Sequence, residues 1–512
     1  MDPQMFDLLF VGAGASTSYV VLSLLGSLDG PPRDRPVRIA VVERAPDPFT
    51  GVPYGSRAAP TALLITPLRD FLPEPERGLF VRWLSENKGW VFDEFRAAGG
   101  PFSTRWWERH RAAVERDDFD DLYLPRYTFG EYLGRRTRAA IDQAAARGLA
   151  TTEVLRDDVV AVEKAAHGYR VRCAGRVVDT SHAVLAVGSA PVRSRLRRDT
   201  GLPGPLLVDD PFDDMGEAVT RIAAAVRGVR DRPAHVVVLG ANAGTMDMLF
   251  QINDRLGADE ATFTVVSPSG QLPERLDEQH EPRPFRAERL EALERAGTAA
   301  AVSVYEAALA DIARGRSAGL SVADTLGPIS QAVGRVLPLL AEDQTVEFAD
   351  RWGVALGRHQ RRAGWEYCEV VEHLAAGGRL QLVAGSFVDL VDGPDGRTRV
   401  RYGADGGEHV VDPPADVVVN CAGPSGSLRL AAPPLLERLV ADGVCRLTPS
   451  GGGVHVGPDL AAAPGFYVMG PLLAGNVVAG RPVWHMEHCG RISAFGATLG
   501  AELAGALEPV GA

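Results

Sequence analysis

Short apolar, β-branched runs recur along the chain, and each ends at glycine: DLLFVGAG (7–14), HAVLAVGSAP (182–191), HVVVLGAN (235–242) and ADVVVNCAGP (415–424). Runs this short and this free of polar residues predict buried parallel strands. The first and third lead into stretches with helical spacing, STSYVVLSLLGSL (16–28) and TMDMLFQI (245–252). Each therefore predicts a strand, a glycine turn and a helix, the unit that receives a dinucleotide diphosphate.

Between these units the pattern changes. Residues 56–150 are rich in Trp and Arg and read as helices. Within them TFGEYLGRRTRAAIDQAAARG places Thr128 and Glu131 at the spacing of a capping box, with Phe129, Tyr132 and Leu133 on one face and Gly148 as the stop. TTEVL, VVAVEK, YRVRC and AVLAV, up to residue 187, read as short strands, and residues 285–345 as helices forming a lid or an insertion. WEYCEVVEHLAAGG is a helix closed by Gly377; LQLVAG, FVDLVD and RVRYG are strands expected to return the chain to the first domain. FYVMGPLLAGN reads as a strand and loop, and PVWHMEHCGRISAFGATLGAEL as a closing helix.

The expected fold is α/β, with two Rossmann-like three-layer dinucleotide-binding domains, the second inserted in the first, and a helical cap. The expected boundaries are 1–204 for the first part of one dinucleotide domain (cap at about 56–150), 205–378 for the second, inserted dinucleotide domain with a helical insertion, and 379–512 for the rest of the first.

Composition narrows the function. A chain of 512 residues with 46% apolar and 23% charged residues is an ordinary globular one. A net charge of −12 argues against a nucleic-acid surface or a polybasic membrane anchor. No uncharged run reaches the roughly 20 apolar residues of a membrane helix. The five cysteines, at 173, 368, 421, 445 and 489, form no CxxC pair, which leaves no dithiol relay and no zinc knuckle. Their spacing, with an N-terminus (MDPQMFD) lacking a basic region, leads us to expect a cytoplasmic protein without a signal peptide.

The turns carry the chemistry. In Gly12-Ala13-Gly14-Ala15-Ser16-Thr17 the first glycine permits the tight turn and the second admits a diphosphate; Thr17 stands where a third glycine is usual, and the Ser16 hydroxyl is available to phosphate. The next strand, VRIAVVE, ends in Glu43, an acceptor for a ribose diol. In the second turn Gly240 is followed by Asn242, in the place of the second glycine, and by Thr245. Its partner strand TFTVVS ends at Ser267 rather than an acid, which favours NADPH over NADH. Arg275 is either the charge for its extra phosphate or a loop arginine. Two such folds in one chain suggest FAD paired with a nicotinamide cofactor.

VGAGAST, FTGVPYG, LPRYTFGEYL, VLAVGSAP, VVVLGANAGTMD, VVVNCAGP and FYVMGPLLAGN occur in an order that resembles the FAD/NAD(P)-binding flavoprotein oxidoreductases, in the branch near flavin enzymes that oxidise amino-acid nitrogen in natural-product pathways. TPLRDFL followed by LPRYTFGEYL is similar in layout to the lysine and ornithine N-hydroxylases. The resemblance implies that Gly12, Gly14, Ser16, Thr17, Glu43 and Arg44 bind the FAD diphosphate and adenosine ribose, that Val159 offers its backbone to the adenine, and that Gly188 lies near the switch point. Gly470, Pro471 and Leu472 would lie against the flavin; Pro471 stands where many relatives carry an Asp. Gly240, Asn242, Thr245 and Ser267 would hold the nicotinamide dinucleotide.

The implied reaction passes hydride from NAD(P)H to FAD, then uses O2 through a flavin C4a-hydroperoxide to N-hydroxylate a small amine or amino acid. The alternatives are a flavin dehydrogenase or reductase that does not use oxygen, and a non-catalytic flavin redox sensor. Asn476, His485 and His488 are candidates near the reacting atoms, each with a packing or loop role as its alternative. WHMEH lacks a third ligand for a metal. Arg69 and Arg126 are candidates for a substrate carboxylate, or else surface charges.

Overall fold

The computed structural model describes residues 4–28, 35–190, 192, 194–197, 204–257, 259–275, 281, 283–423, 427–430, 432–484 and 488–507. Strand β1 (Gln4–Val11) is buried from Leu8 to Val11 and runs through the glycine turn into α1 (Ala15–Ser27), after which β2 (Val37–Glu43) pairs with β1 in parallel. The cap follows as α2 (Leu68–Phe71), α3 (Glu76–Ala98), α4 (Pro101–Glu115) and α5 (Arg126–Ala146). α5 begins at Arg126 rather than Thr128. The Thr128 hydroxyl donates to Pro125 O at 2.7 Å and Glu131 accepts from Arg135 at 3.0 Å, so the expected capping box does not form. Strands β3 (Ala150–Arg156), β4 (Val159–Ala165), β5 (Gly168–Cys173) and β6 (Val177–Leu185) follow; β3 extends the sheet beyond β2, β6 flanks β1 on its other side, and β4 and β5 make an antiparallel extension.

The second unit opens with β7 (Leu206–Val208), α6 (Met215–Gly228), β8 (Ala234–Leu239), α7 (Ala243–Arg255) and β9 (Ala261–Ser267). All six residues of β8 are buried, as a strand covered on both faces requires. A short β10 (Glu274–Arg275) leads to the helical insertion: α8 (Glu288–Ala296), α9 (Ala301–Ser317), α10 (Val322–Val336), α11 (Glu342–Glu347) and α12 (Gly353–Gly357). The insertion has its own core, including Leu290, Val304, Ile329 and Phe348. β11 (Arg362–Ala363) pairs with β10, and α13 (Trp365–Ala376) packs on α7.

The chain does not return to the first domain at residue 379. β12 (Leu380–Ala384) pairs with β9. β13 (Ser386–Asp392), β14 (Thr398–Ala404) and β15 (Gly407–Val410) form a separate antiparallel sheet whose Val400 and neighbouring Val411 pack on Val237, Leu239 and Val418. β16 (Val417–Asn420) then inserts between β8 and β7, giving the order β12-β9-β8-β16-β7. The boundary expected at 378 therefore moves to the end of β16. An all-apolar strand signals burial on two faces without naming its neighbours, and here pairing with β8 decided.

After α14 (Pro434–Ala441), β17 (Ala461–Ala463) and β18 (Phe466–Val468) complete the first sheet in the order β17-β18-β6-β1-β2-β3. α15 (Cys489–Ala506) lies on α1 at glycine distance: a Cβ on Gly496 would fall 2.7 Å from Tyr19 Cβ, and one on Gly500 2.5 Å from Ser23 Cβ. No helix among the described residues is long and apolar enough to cross a membrane.

The cap is locked to the second unit through α7. Asp254 Oδ1 accepts from the backbone N–H of Phe102 at 2.8 Å and of Ser103 at 2.9 Å, capping α4 from another domain. Arg126 Nη2 donates to Asp247 Oδ2 at 2.7 Å, and its Nε and Nη2 also donate to Leu63 O at 2.9 and 2.7 Å. Against the cost of burial, Asp247 and Tyr367 hold the guanidinium above its ordinary range. Removing one partner of such a pair leaves an uncompensated buried charge. Arg126→Met therefore lowers stability by about 3–5 kcal/mol in denaturant unfolding, and adding Asp247→Leu restores most of the loss.

Candidate functional site

Both glycine turns are tied by one and the same bond. Thr17 Oγ1 donates to Gly12 O at 2.7 Å, and Thr245 Oγ1 donates to Gly240 O at 2.8 Å. Both threonines are fully buried. Their hydroxyls fix the turns from within, which leaves the backbone of each threonine as the part that can face a cofactor. The first glycines rest on the neighbouring strand ends. Gly12 has φ +95° and its Cβ would sit 2.6 Å from Ala186 O; Gly240 has φ +101° and its Cβ would sit 2.6 Å from Cys421 O. The small residues ending HAVLAVGSAP and ADVVVNCAGP are the surfaces against which the turns close.

The turns differ one step later. Gly14 is the N-cap of α1 without any side-chain cap, and a Cβ there would meet only Gly51 Cα, at 3.7 Å. The amide end of α1 is thus left to an anion in a shallow backbone cradle. Asn242 instead caps α7 itself: its Oδ1 accepts from Thr245 N at 3.1 Å and its Nδ2 donates to Cys421 O at 2.7 Å.

Around the first turn the residues fit an adenine dinucleotide. Glu43 accepts from Ala13 N at 2.7 Å and Ala45 N at 2.8 Å, which sets its carboxylate beside the turn. Val159 opens β4 close to Glu43, whose carbonyl accepts from Asp157 N at 3.2 Å. Gly188 has φ +84° with open space where a Cβ would be. Gly470, at φ +86°, would place a Cβ 2.6 Å from Ser16 Oγ, so the loop of Gly470 and Pro471 crosses the first turn of α1. Leu472 differs from expectation: it is buried, and its carbonyl accepts from Val454 N at 2.7 Å, so it packs inward. Arg44 is exposed, 3.6 Å from Asp213. Gly51, at φ +75°, would place a Cβ 3.2 Å from Gly14 Cα; it was not among the residues expected at this turn, and its signal was the glycine within FTGVPYG.

At the second turn, the Ser267 hydroxyl accepts from Gly270 N at 3.1 Å. Arg275 lies over the Trp365 ring at 3.9 Å and 3.7 Å from Glu372, held by the scaffold. Another guanidinium, unnoticed in the sequence, reaches the turn: Arg361 Nη1 donates to Ala241 O at 3.5 Å.

The remaining candidates are structural. Asn476 is buried; its Oδ1 accepts from Val456 N at 3.0 Å and its Nδ2 donates to Val454 O at 2.8 Å and Leu473 O at 2.9 Å, so no donor is left for a substrate. His488 precedes α15, with Nε2 2.6 Å from Asp70 O. His485 lies outside the described residues, among which no group of His, Cys, Asp and Glu is arranged to hold a metal. Arg69 pairs with Asp121, and Arg126 is buried and engaged at the cap junction by Asp247 and Leu63 O.

Comparison with known proteins gives the family and the fold. Residues 9–190 match the model of an FAD-NAD(P)-binding family. Uncharacterised proteins of Mycobacterium tuberculosis and Mycobacterium bovis are each 32% identical over 522 residues, covering 100% of this chain and 97% of the relative. The FAD-bound cadaverine monooxygenase of desferrioxamine biosynthesis from Erwinia amylovora has the same fold, with a TM-score of 0.56 at 11% identity over 98% of this chain and 95% of that one. L-lysine 6-monooxygenase from Pseudomonas syringae matches with a TM-score of 0.51 at 15% identity, over 98% of this chain and 100% of that one.

The two glycines of the first turn separate by substitution. Gly12→Ala forces a left-handed Cβ onto a carbonyl and lowers stability by about 2–4 kcal/mol. Gly14→Ala meets no obstacle in the protein, keeps stability within about 0.5 kcal/mol of wild type, and purifies with little visible flavin absorbance because its methyl fills the diphosphate cradle.

Proposed function

This chain belongs to the FAD-NAD(P)-binding flavoprotein oxidoreductases, and we propose that it is a monooxygenase using NADPH and O2 to hydroxylate the nitrogen of a small amine or amino acid. The balance is NADPH, a proton, O2 and R–NH2 giving NADP+, water and R–NHOH. Bound FAD supplies hydride acceptance and oxygen activation. The chain's own residues bind, orient and exclude water.

The observation that carries the reading is the state of the thiols. All five cysteines are free and buried. Burial pushes Cys173, Cys368 and Cys445 up to about 11 and Cys489 up to about 12, and raises Cys421 further. Thiol exchange needs a thiolate, with a partner within reach. These thiols are single and protonated, so electrons are not relayed through a dithiol to an outside disulfide.

Two further features support oxygen chemistry. Tyr54 and Phe71 pack edge-to-face on Phe129 at 5.1 and 4.9 Å, which fastens the FTGVPYG loop to an aromatic cap of the kind a dry flavin pocket needs. The uncapped end of α1 and Glu43 then place the FAD diphosphate and ribose beside that loop. Lysine and cadaverine, the amines named for the two structural neighbours, support nitrogen as the oxygen acceptor.

The test supplies the FAD-loaded protein with NADPH, O2 and a panel of diamines and basic amino acids, and follows products by mass. A gain of one oxygen on an amine, matched by NADPH and O2 consumption, is the expected result. Complete recovery of O2 as hydrogen peroxide across the panel would sink the proposal. Iodoacetamide treatment of the folded protein leaves the NADPH oxidation rate unchanged; a loss of rate would reinstate a thiol relay.

A further inference from the structure

Arg361 stands between the two parts of the second unit that enclose an adenosine ribose. Its Nη1 donates to Ala241 O, inside the glycine turn, at 3.5 Å. Its own carbonyl accepts from Glu274 N at 3.3 Å, in the segment that follows β9. In a βαβ dinucleotide fold the adenosine ribose lies between this turn and the end of the next strand, and an acid there binds its 2′-hydroxyl. Here that strand ends at Ser267, whose hydroxyl is engaged with Gly270 N.

The charge around Arg361 is unmatched. Among the described residues neither Arg361 nor Arg358 has an ion-pair partner within 4.0 Å. The nearest acid in sequence contact, Glu274, is turned away: its carboxylate accepts from Val322 N at 3.1 Å and lies 4.0 Å from Arg316. Partial desolvation and then the like charge of Arg358 pull Arg361 below its ordinary range; desolvation, with Arg316 and Arg358, does the same to His359. Arg361 thus sits beside the glycine turn, with the like charge of Arg358 close to it and, among the described residues, no carboxylate paired with either guanidinium. Arg275, the candidate suggested by the sequence, is already committed to Trp365 and Glu372.

We propose that Arg361, backed by Arg358, receives the 2′-phosphate of NADPH and so sets the preference for NADPH over NADH. The inference rests on the second turn holding the nicotinamide dinucleotide. A diphosphate common to both cofactors would be drawn by the same charge, and the test separates the two sources.

Binding of NADP+ and NAD+ to the FAD-loaded protein is measured by calorimetry for wild type, Arg361→Gln, Arg361→Lys and Arg358→Gln, so that no turnover is needed. A charge-assisted contact corresponds to roughly a 10- to 100-fold change in affinity. The expected result is that Arg361→Gln loses NADP+ affinity by that factor with NAD+ affinity unchanged, that Arg358→Gln loses less, and that Arg361→Lys recovers part of the loss. Equal weakening of both nucleotides assigns Arg361 to the diphosphate and overturns the proposal; so does an unmoved NADP+/NAD+ ratio. Wild type that binds neither nucleotide defeats this inference and the reading of the second turn together, whereas wild type that binds NADP+ with the ratio unmoved defeats this inference alone.

Discussion

At the ends of β1 and β8 the chain must turn where a neighbouring backbone carbonyl leaves no space for a side chain. Ala186 O occupies the place of a Cβ at Gly12, and Cys421 O does so at Gly240. Only a left-handed glycine satisfies both the close approach and the change of direction. The threonine at the base of each helix then binds the glycine carbonyl and fixes the turn. Everything placed around the crevices follows from these contacts: the direction of α1, the crossing of Gly470 over Ser16, and the approach of Arg361 to Ala241.

Helix α7 serves two neighbours at once. Its first turn closes on β16 through Asn242 and Cys421, while Asp247 and Asp254 hold the cap through Arg126 and the start of α4. A buried polar network of this kind is strong when fully paired and costly when broken. The cap is thereby tied to the second unit as well as to α1 and β3 of the first, on which α5 packs. The cap fastened to the FTGVPYG loop and the second crevice share one rigid element.

The strand, turn and helix units were legible because β-branched runs that stop at glycine leave few structural solutions, and the two sheets stand where those runs predict. Strand membership was not. ADVVVN announces burial and LQLVAG a strand, but pairing with β8 and β9 is a property of distant partners. Arg126 illustrates the same limit for charges. An arginine in a sequence reads as solvated, and the acid that buries it, Asp247, is 121 positions away. Asn476 read either as a donor near the reacting atoms or as a loop residue in a glycine-rich turn; its three bonds to Val454, Leu473 and Val456 emerge only once the loops are folded together. Thr17 and Thr245 were visible as positions, but spacing does not reveal that each hydroxyl bonds the first glycine's carbonyl.

The late arrival of β16 bears on how the polypeptide emerges from the ribosome. β8 is synthesised long before the strand that covers one of its edges, with the insertion, α13 and the β13-β14-β15 sheet translated in between. During that interval a fully buried, valine-rich strand presents an unpaired hydrogen-bonding edge, the feature that templates intermolecular pairing. Closing the sheet across so long a stretch is a slow, non-local event. Co-translational assembly of this fold therefore places its greatest demand on holdase chaperones between the appearance of Leu239 and that of Asn420.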